Sequence, residues 1–174
     1  MIESRCCGCG VILPDTAGPT HPYMLSSPAC WATYGELGAR VMTAAGTDSD
    51  EVGRWQHVDC YAVQHPGGAE HDRRQRQSVA VHLVSLCLLL EFGWPAALVS
   101  ARRGQTSRRV LPALGLTDWP YLCPPPELGA VTAADVQMAS DPDEFAARLR
   151  EWTQSAWSAW VAHHDTIRAW AERS

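Results

Sequence analysis

The stretch "QSVAVHLVSLCLLLE", residues 77–91, decides the fold of this chain. It lies within a longer segment, residues 74–93, whose pattern predicts a helix that is apolar on nearly every side. Such a helix must be covered by other elements, so we expect it to be the central buried helix. The apolar run over residues 79–90 is too short to span a bilayer and is interrupted by His82. We therefore expect no membrane-spanning segment.

Helix signals also dominate the sequence before this segment. Ser27 and Pro28 are the N-cap and first residue of a predicted helix that continues to about Met42. A second helix is predicted over residues 51–65, because the sequence Pro-Gly-Gly at 66–68 ends it.

Two further helices are predicted after the central segment. A short one over residues 132–139 has Thr132 as its N-cap. The longest covers residues 141–174, with Asp141 as its cap, Pro142 at its start and Glu144 where a capping box requires an acid. We expect this last helix to be continuous.

Strand signals are nearly absent, apart from a short extended piece at residues 11–13. Residues 101–109 and 118–129 are predicted to be loops, since proline and polar residues interrupt any period. The predicted fold is therefore all-α, a compact bundle of four to five helices with an N-terminal zinc-knuckle-like extension. We expect one domain over residues 1–174, with the extension at 1–26 and the bundle at 27–174.

Composition excludes several classes of protein. A chain of 174 residues with 46% apolar residues suits a single domain with a real core. The net charge of −5 and the lack of a basic-aromatic stripe argue against a nucleic-acid partner. Seven cysteines without a signal-peptide pattern favour a reducing, cytoplasmic setting over a disulfide framework.

The cysteines of "RCCGCG", residues 5–10, predict a metal site. Cys6 and Cys9 form C-x-x-C, and the adjacent glycines give the backbone the freedom to turn both sulfurs toward one cation. Cys30 is the best third ligand, because the first turn of a helix lowers the pKa of a thiol. Cys7 could replace Cys6. Redox chemistry and inert thiols are the alternatives, but no βαβ pattern surrounds the motif.

The fourth ligand is expected to be His65, with Cys60, His57 and His21 as alternatives. The predicted helix 51–65 supports this choice because it separates into two faces. One face is an apolar stripe of Trp55, Val58 and Ala62. The adjoining face gathers His57, Tyr61, Gln64 and His65. Such a cluster can ligate metal, relay protons or orient a substrate, or it can be a solvated surface.

Two other histidines are expected to point inward. His82 lies in the apolar central helix, where a buried imidazole needs a hydrogen-bond partner or a metal. His163 is in register with the apolar stripe of the last helix. The tryptophans of that helix are expected to be mainly core residues, although Trp157 and Trp160 lie off the main stripe.

The motifs "CCGCG", "SSPACW", "VDCYAVQHPGG" and "QSVAVHLVSLCLLLE" resemble a bacterial family, common in actinobacteria, that is catalogued as domain-of-unknown-function family 5946. The resemblance extends over nearly the whole chain and implies a single intact domain, but it implies no reaction. It marks six motif positions, namely Cys6, Cys9, Cys30, Asp59, His65 and His82. The family motif is indifferent at Cys60, which weakens Cys60 as a ligand.

Two functions follow from these patterns. The first is a metal-dependent enzyme of hydrolase or lyase type, with Zn²⁺ bound by Cys6, Cys9, Cys30 and His65. Its acid–base and orienting groups would be Asp59, Tyr61, Gln64, His65 and His82. Its substrate would be an aromatic or apolar small molecule. The second is a non-enzymatic helical module in which zinc is structural and an exposed Trp-rich helix binds a partner.

Overall fold

The computed structural model describes residues 2–43, 53–67 and 70–174, and for residues 53–55 it describes the backbone alone. Within these ranges lie eight α-helices, one short 3-10 helix and one two-stranded hairpin. The expected all-α class is confirmed. The helices outnumber the four or five expected, for reasons given below. No helix in the described ranges is long and apolar enough to cross a membrane.

The N-terminal extension is a small hairpin. Strand β1 (Glu3–Arg5) pairs antiparallel with β2 (Ile12–Pro14), with Ser4 opposite Leu13. The predicted extended piece at 11–13 corresponds to β2, whereas β1 was not predicted because its three residues are all polar and show no apolar alternation. The connection is a tight turn in which Gly10 has a φ of +77°, a left-handed conformation that favours glycine.

The second helix packs against the central one, whereas the first packs against the second and a later helix. Helix α1 (Pro28–Thr43) begins as predicted, and the Ser27 hydroxyl accepts a hydrogen bond from the Cys30 amide. Helix α2 (Gly53–Gln64) ends near the predicted breaker; its predicted start at Glu51, the Trp55 side chain and Gly68 lie outside the described residues.

The predicted central helix is α3 (Arg73–Leu90), which is capped by the Asp72 carboxylate. Most of its side chains from Val79 to Leu88 are buried. It packs against α2 and against four helices that follow it in the chain. The prediction of a central buried helix is thus confirmed.

The prediction of a loop at residues 101–109 is wrong. Helix α4 (Ala96–Arg103) and helix α5 (Thr106–Ala113) occupy most of this segment. Each is only eight residues long, about two turns, and Gly104 lies between them, so each pattern is shorter than the roughly 11–18 residues over which helical periodicity is read. Buried Val99 and Val110 anchor the two helices on the core. Residues 118–129 contain no helix or strand, as expected.

Helix α6 (Ala133–Gln137) starts with the predicted capping box of Thr132 and Asp135. Helix α7 (Pro142–Ala159) starts at the predicted cap, where the Asp141 carboxylate accepts a hydrogen bond from the Glu144 amide. In both cases the cap is a local signal that the structure preserves.

The prediction of one continuous helix over 141–174 is wrong. After α7 come a 3-10 helix (Val161–His163) and helix α8 (His164–Ala171). The break lies at Trp160, which is fully buried and donates a hydrogen bond from its indole nitrogen to the Val63 carbonyl at 3.2 Å. This long-range contact turns the chain away from the helix path.

The break also shifts the register that placed His163 inside. His164 is the buried histidine, and its ring stacks on Trp157 at 3.9 Å. His163 is only partly buried, and its Nε2 donates to the Cys123 carbonyl at 2.8 Å. Both tryptophans expected to be available for a partner, Trp157 and Trp160, are buried in the core. The exposed Trp surface of the second functional hypothesis is therefore wrong.

Candidate metal centre

Three sulfur atoms and one imidazole nitrogen converge between the hairpin turn, the start of α1 and the end of α2. The groups are those of Cys6, Cys9, Cys30 and His65, whose ligand atoms all lie within 4.8 Å of one another. All but Cys9 are buried, and Cys9 is partly buried. This is the set of four ligands that the sequence favoured.

The distances among these atoms match a tetrahedral zinc site. Ligands at zinc–sulfur and zinc–nitrogen distances of about 2.3 Å and 2.0 Å lie about 3.8 Å apart for two sulfurs and about 3.5 Å apart for sulfur and nitrogen. The Sγ atoms of Cys9 and Cys30 are 3.7 Å apart. The Nε2 atom of His65 is 3.6 Å from the Cys6 Sγ and 3.4 Å from the Cys30 Sγ. The donor set therefore fits one tetrahedral cation.

The hairpin turn aims Cys6 and Cys9 at this point. The Cys6 amide donates to the Val11 carbonyl at 2.8 Å, and the Gly10 amide donates to the Cys6 carbonyl at 3.1 Å. The backbone amide of Ser27 also donates to the Cys6 Sγ at 3.4 Å. Amide hydrogen bonds of this kind stabilise a thiolate, the form of cysteine that binds metal.

His65 is oriented by its own helix. Its Nδ1 lies 2.7 Å from the Tyr61 carbonyl oxygen. Because a carbonyl can only accept, Nδ1 carries the proton and Nε2 presents its lone pair to the sulfurs. Histidine ligands of metals are commonly oriented by such a hydrogen bond. The Tyr61 ring stacks on the imidazole at 3.8 Å, and its hydroxyl contacts the Cys30 Sγ at 3.7 Å.

The electrostatics of the three thiols also favour a cation. Hydrogen bonds from Cys30 and then Cys9 lower the pKa of the Cys6 thiol. Hydrogen bonds with Cys6 and then with Cys9 raise the pKa of the Cys30 thiol well above its ordinary value. The S–H groups of two cysteines thus stabilise one thiolate, whereas three thiolates at this spacing would repel one another unless a cation lay between them.

The other candidates for ligands lie elsewhere. Cys7 is exposed on the turn, and Cys60 is buried against Thr153, with Sγ and Oγ1 3.6 Å apart. The His21 ring accepts hydrogen bonds from the amides of Tyr23 and Met24. His57 packs near Tyr34, with ring centroids 5.6 Å apart. Of the four alternatives for the last ligand, only His65 joins the cluster.

Gln64 and Tyr61, both predicted to be catalytic, are engaged in packing. The Gln64 amide donates to the carbonyls of Leu128 and Val131, both at 2.8 Å, and accepts from the Trp152 indole at 2.7 Å. Gln64 is fully buried and Tyr61 is nearly so. These contacts hold the 128–131 segment and α7 against the end of α2. Catalytic roles for the two residues stay predictions.

Asp59 and His82, the other predicted catalytic residues, form a second cluster. Oδ1 of the Asp59 carboxylate lies 2.7 Å from the His82 Nδ1, and Oδ2 accepts from the Arg103 guanidinium at 2.7 Å. Two residues of this neighbourhood, Arg103 and Tyr34, were not predicted from the sequence. Arg103 was missed because it was expected to lie in a loop. Burial, and then the Asp59 carboxylate, raise the pKa of Tyr34 to about 12.

An open cavity of about 700 Å³ lies beside the hairpin turn. Its walls are residues 5–10, residues 126–130 and the three α7 residues Ser155, Ser158 and Ala159. Among the described residues no tryptophan or tyrosine lines it, so this cavity does not offer aromatic walls to the aromatic or apolar small molecule expected as substrate.

A family model described as "Family of unknown function (DUF5946)" matches residues 4–161. The chain belongs to DUF5946. The matched range contains all four residues of the metal centre and also Asp59, His82 and Arg103. No curated protein and no solved structure matches the chain. The metal centre of this DUF5946 protein is therefore interpreted from its own geometry.

Proposed function

We propose that Cys6, Cys9, Cys30 and His65 bind Zn²⁺ as a structural site that fastens the N-terminal hairpin to the helical bundle. The single observation that carries this proposal is the convergence of four ligand atoms within 4.8 Å, with spacings that suit a tetrahedral ion. Three thiolates and one imidazole are a common ligand set of structural zinc sites, and thiolate-rich tetrahedral sites favour zinc over harder cations.

The positions of the ligands support a structural role. Four protein ligands complete the tetrahedron, whereas a catalytic zinc usually keeps one position for water. The ligands come from the turn between β1 and β2, from the first turn of α1 and from the residue after α2. One ion therefore links three segments that are separated in sequence by 21 and 35 residues. The thiol ligands also support the expected reducing, cytoplasmic location.

Under this proposal the zinc ion of the expected metal-dependent enzyme has a structural role and takes no part in the reaction. The ion would hold α1 and α2 in place, and chemistry on a small molecule would be carried out by residues that are not its ligands. The observation that favours such an enzyme is the hydrogen bond between Asp59 and His82, which is outside the metal centre. The substrate expected from the sequence, an aromatic or apolar small molecule, remains part of this second candidate function.

The test compares zinc content in two serine variants of neighbouring cysteines. Purified wild-type protein and Cys7→Ser should each contain about one zinc per chain, because Cys7 is exposed and outside the cluster. Cys9→Ser should be substoichiometric in zinc, because it removes one thiolate ligand. Metal is measured by mass spectrometry on protein expressed with zinc, and unfolding by urea is followed with and without a chelator.

The chelator should lower the free energy of unfolding of wild type and Cys7→Ser by several kcal/mol, since the free energy of metal binding contributes to folding. It should have little effect on Cys9→Ser. The proposal would be contradicted if Cys9→Ser retained the wild-type zinc content. It would also be contradicted if the chelator did not change the free energy of unfolding of the wild type.

A further inference from the structure

Asp59, His82 and Arg103 form a polar cluster in which three helices meet. Asp59 lies on α2, His82 on α3 and Arg103 on α4, so the packing of three helices brings these side chains together. The Asp59 side chain is only 4% exposed, and both of its oxygens are engaged at 2.7 Å. A buried carboxylate with two such partners is fixed in position.

The contact with Asp59 decides the proton arrangement of His82. An ionised carboxylate only accepts hydrogen bonds, so Nδ1 of His82 carries a proton. When the imidazole is neutral, this tautomer has its lone pair on Nε2.

The Nε2 atom of His82 is the reactive atom of the cluster. No hydrogen bond within residues 2–43, 53–67 and 70–174 uses it. The His82 side chain is 15% exposed, as is that of Arg103, so the cluster reaches the protein surface. A purely structural bridge between helices would be complete with Asp59 and Arg103 alone. Adding a histidine oriented by a carboxylate is instead the arrangement that general bases use.

We propose that this cluster is an acid–base site in which Nε2 of His82 activates water for the hydrolysis of a small acyl compound, such as an aryl ester. Nε2 takes a proton from the water, whose oxygen forms a bond to the acyl carbon while the carbonyl π pair moves onto oxygen. When the tetrahedral intermediate collapses, the bond to the leaving group breaks and the leaving oxygen takes the proton from Nε2. The enzyme ends as it began, and water supplies the hydroxyl group on the acyl carbon and the proton on the leaving oxygen.

His82 is the only catalytic residue in this proposal. Asp59 and Arg103 are positioning residues: Asp59 fixes the tautomer and stabilises the imidazolium, and Arg103 balances the charge of Asp59. Tyr34, on α1, lies in the same electrostatic neighbourhood, because both Asp59 and Arg103 shift its pKa. The proposal concerns residues outside the metal centre, so the two can fail separately.

The experiment uses the zinc-loaded full chain and p-nitrophenyl acetate as the probe. We expect His82→Gln to lower the rate constant at least tenfold, because a positioned general base contributes about 10²–10⁴-fold to rate. The matched control is His71→Gln, since His71 is exposed and should leave the rate unchanged. Asp59→Asn should also lower the rate at least tenfold, because an amide no longer enforces the Nδ1–H tautomer.

Rescue by a second variant separates positioning from mere stability. Arg103→Gln should lower kcat, because the charge of Asp59 is then less well balanced, and Arg103→Lys should recover part of the loss, because it restores a cation beside Asp59. A structural role for Arg103 would lower stability without changing kcat of the folded protein.

A second measurement needs no variant. Diethyl pyrocarbonate should carbethoxylate His82 faster than the buried His65 and His164, and hydrolysis should be lost in parallel with modification of His82. Equal rates for wild type and His82→Gln, or a rate that survives complete modification of His82, would overturn the proposal. Either result would leave His82 as a structural link between α2 and α3.

Discussion

Substitution of Gly8 by alanine tests the packing of the metal centre in the most detail. A Cβ at this position would lie 2.4 Å from Cδ2 of His65, 2.5 Å from the Leu25 carbonyl oxygen and 2.9 Å from the Gln64 carbonyl oxygen. Ordinary contacts begin at 3.4 Å, so the turn and the His65 ring would have to separate by about 1 Å. Two of the three obstacles are backbone atoms, which cannot rotate away. Gly8 does not have a positive φ, so the effect is one of space alone.

The size of the effect follows from this geometry. Overpacking of a tight site costs about 1–3 kcal/mol. If the displacement falls on the bond between His65 and the ion, zinc affinity drops by about 5- to 150-fold, since 1.4 kcal/mol corresponds to a factor of ten. The matched control is Gly35→Ala in α1, where an added Cβ meets nothing within 4 Å. Alanine in the interior of a helix should raise stability by about 0.5–1 kcal/mol.

Competition with a chromophoric chelator measures zinc affinity, and urea unfolding of the zinc-loaded proteins measures stability. We expect Gly8→Ala to have lower zinc affinity and lower stability than the wild type, and Gly35→Ala to keep wild-type affinity. If Gly8→Ala bound zinc and unfolded like the wild type, the close approach of the turn to His65 would be refuted.

Two further substitutions test the contacts around the site and the core. Gln64→Met should lower the free energy of unfolding by about 2–3 kcal/mol, because the buried partners of the amide lose their hydrogen bonds, whereas Gln154→Met at an exposed position should be nearly neutral in the same urea titration. Hydrogen bonding to Arg168 lowers the pKa of Glu91, so this carboxylate stabilises the fold above the ordinary glutamate pKa, and the stabilisation is lost as pH falls. Glu91→Gln should therefore cost up to about 1 kcal/mol at pH 7 and progressively less as pH falls below the ordinary glutamate range, while Glu151→Gln, at a more exposed ion pair, should change stability less throughout.

The parts of the fold that were predictable from the sequence carry local signals. Capping residues marked the starts of α1, α6 and α7, because a cap forms within one turn of its own helix. The break at Trp160 was not predictable, since its cause is a hydrogen bond to Val63, far away in sequence. The two eight-residue helices α4 and α5 were missed because each owes its stability to packing rather than to its own pattern.

The candidate site also has residues that were predictable from the sequence and residues that were not. The spacing of Cys6 and Cys9 and the place of Cys30 in a first helical turn predicted three ligands, because ligand chemistry depends on short-range geometry. The fourth ligand had four candidates in sequence, and only the meeting of the hairpin turn with the end of α2 selects His65. Arg103 could not be identified, since its partner Asp59 lies 44 residues away.

X-ray absorption at the zinc edge tests the central claim most directly. The account predicts that zinc-loaded protein has three sulfur neighbours at about 2.3 Å and one nitrogen neighbour at about 2.0 Å, and that Cys7→Ser gives the same spectrum. A shell with two or fewer sulfurs, or an added oxygen from water, would contradict the four-ligand structural site.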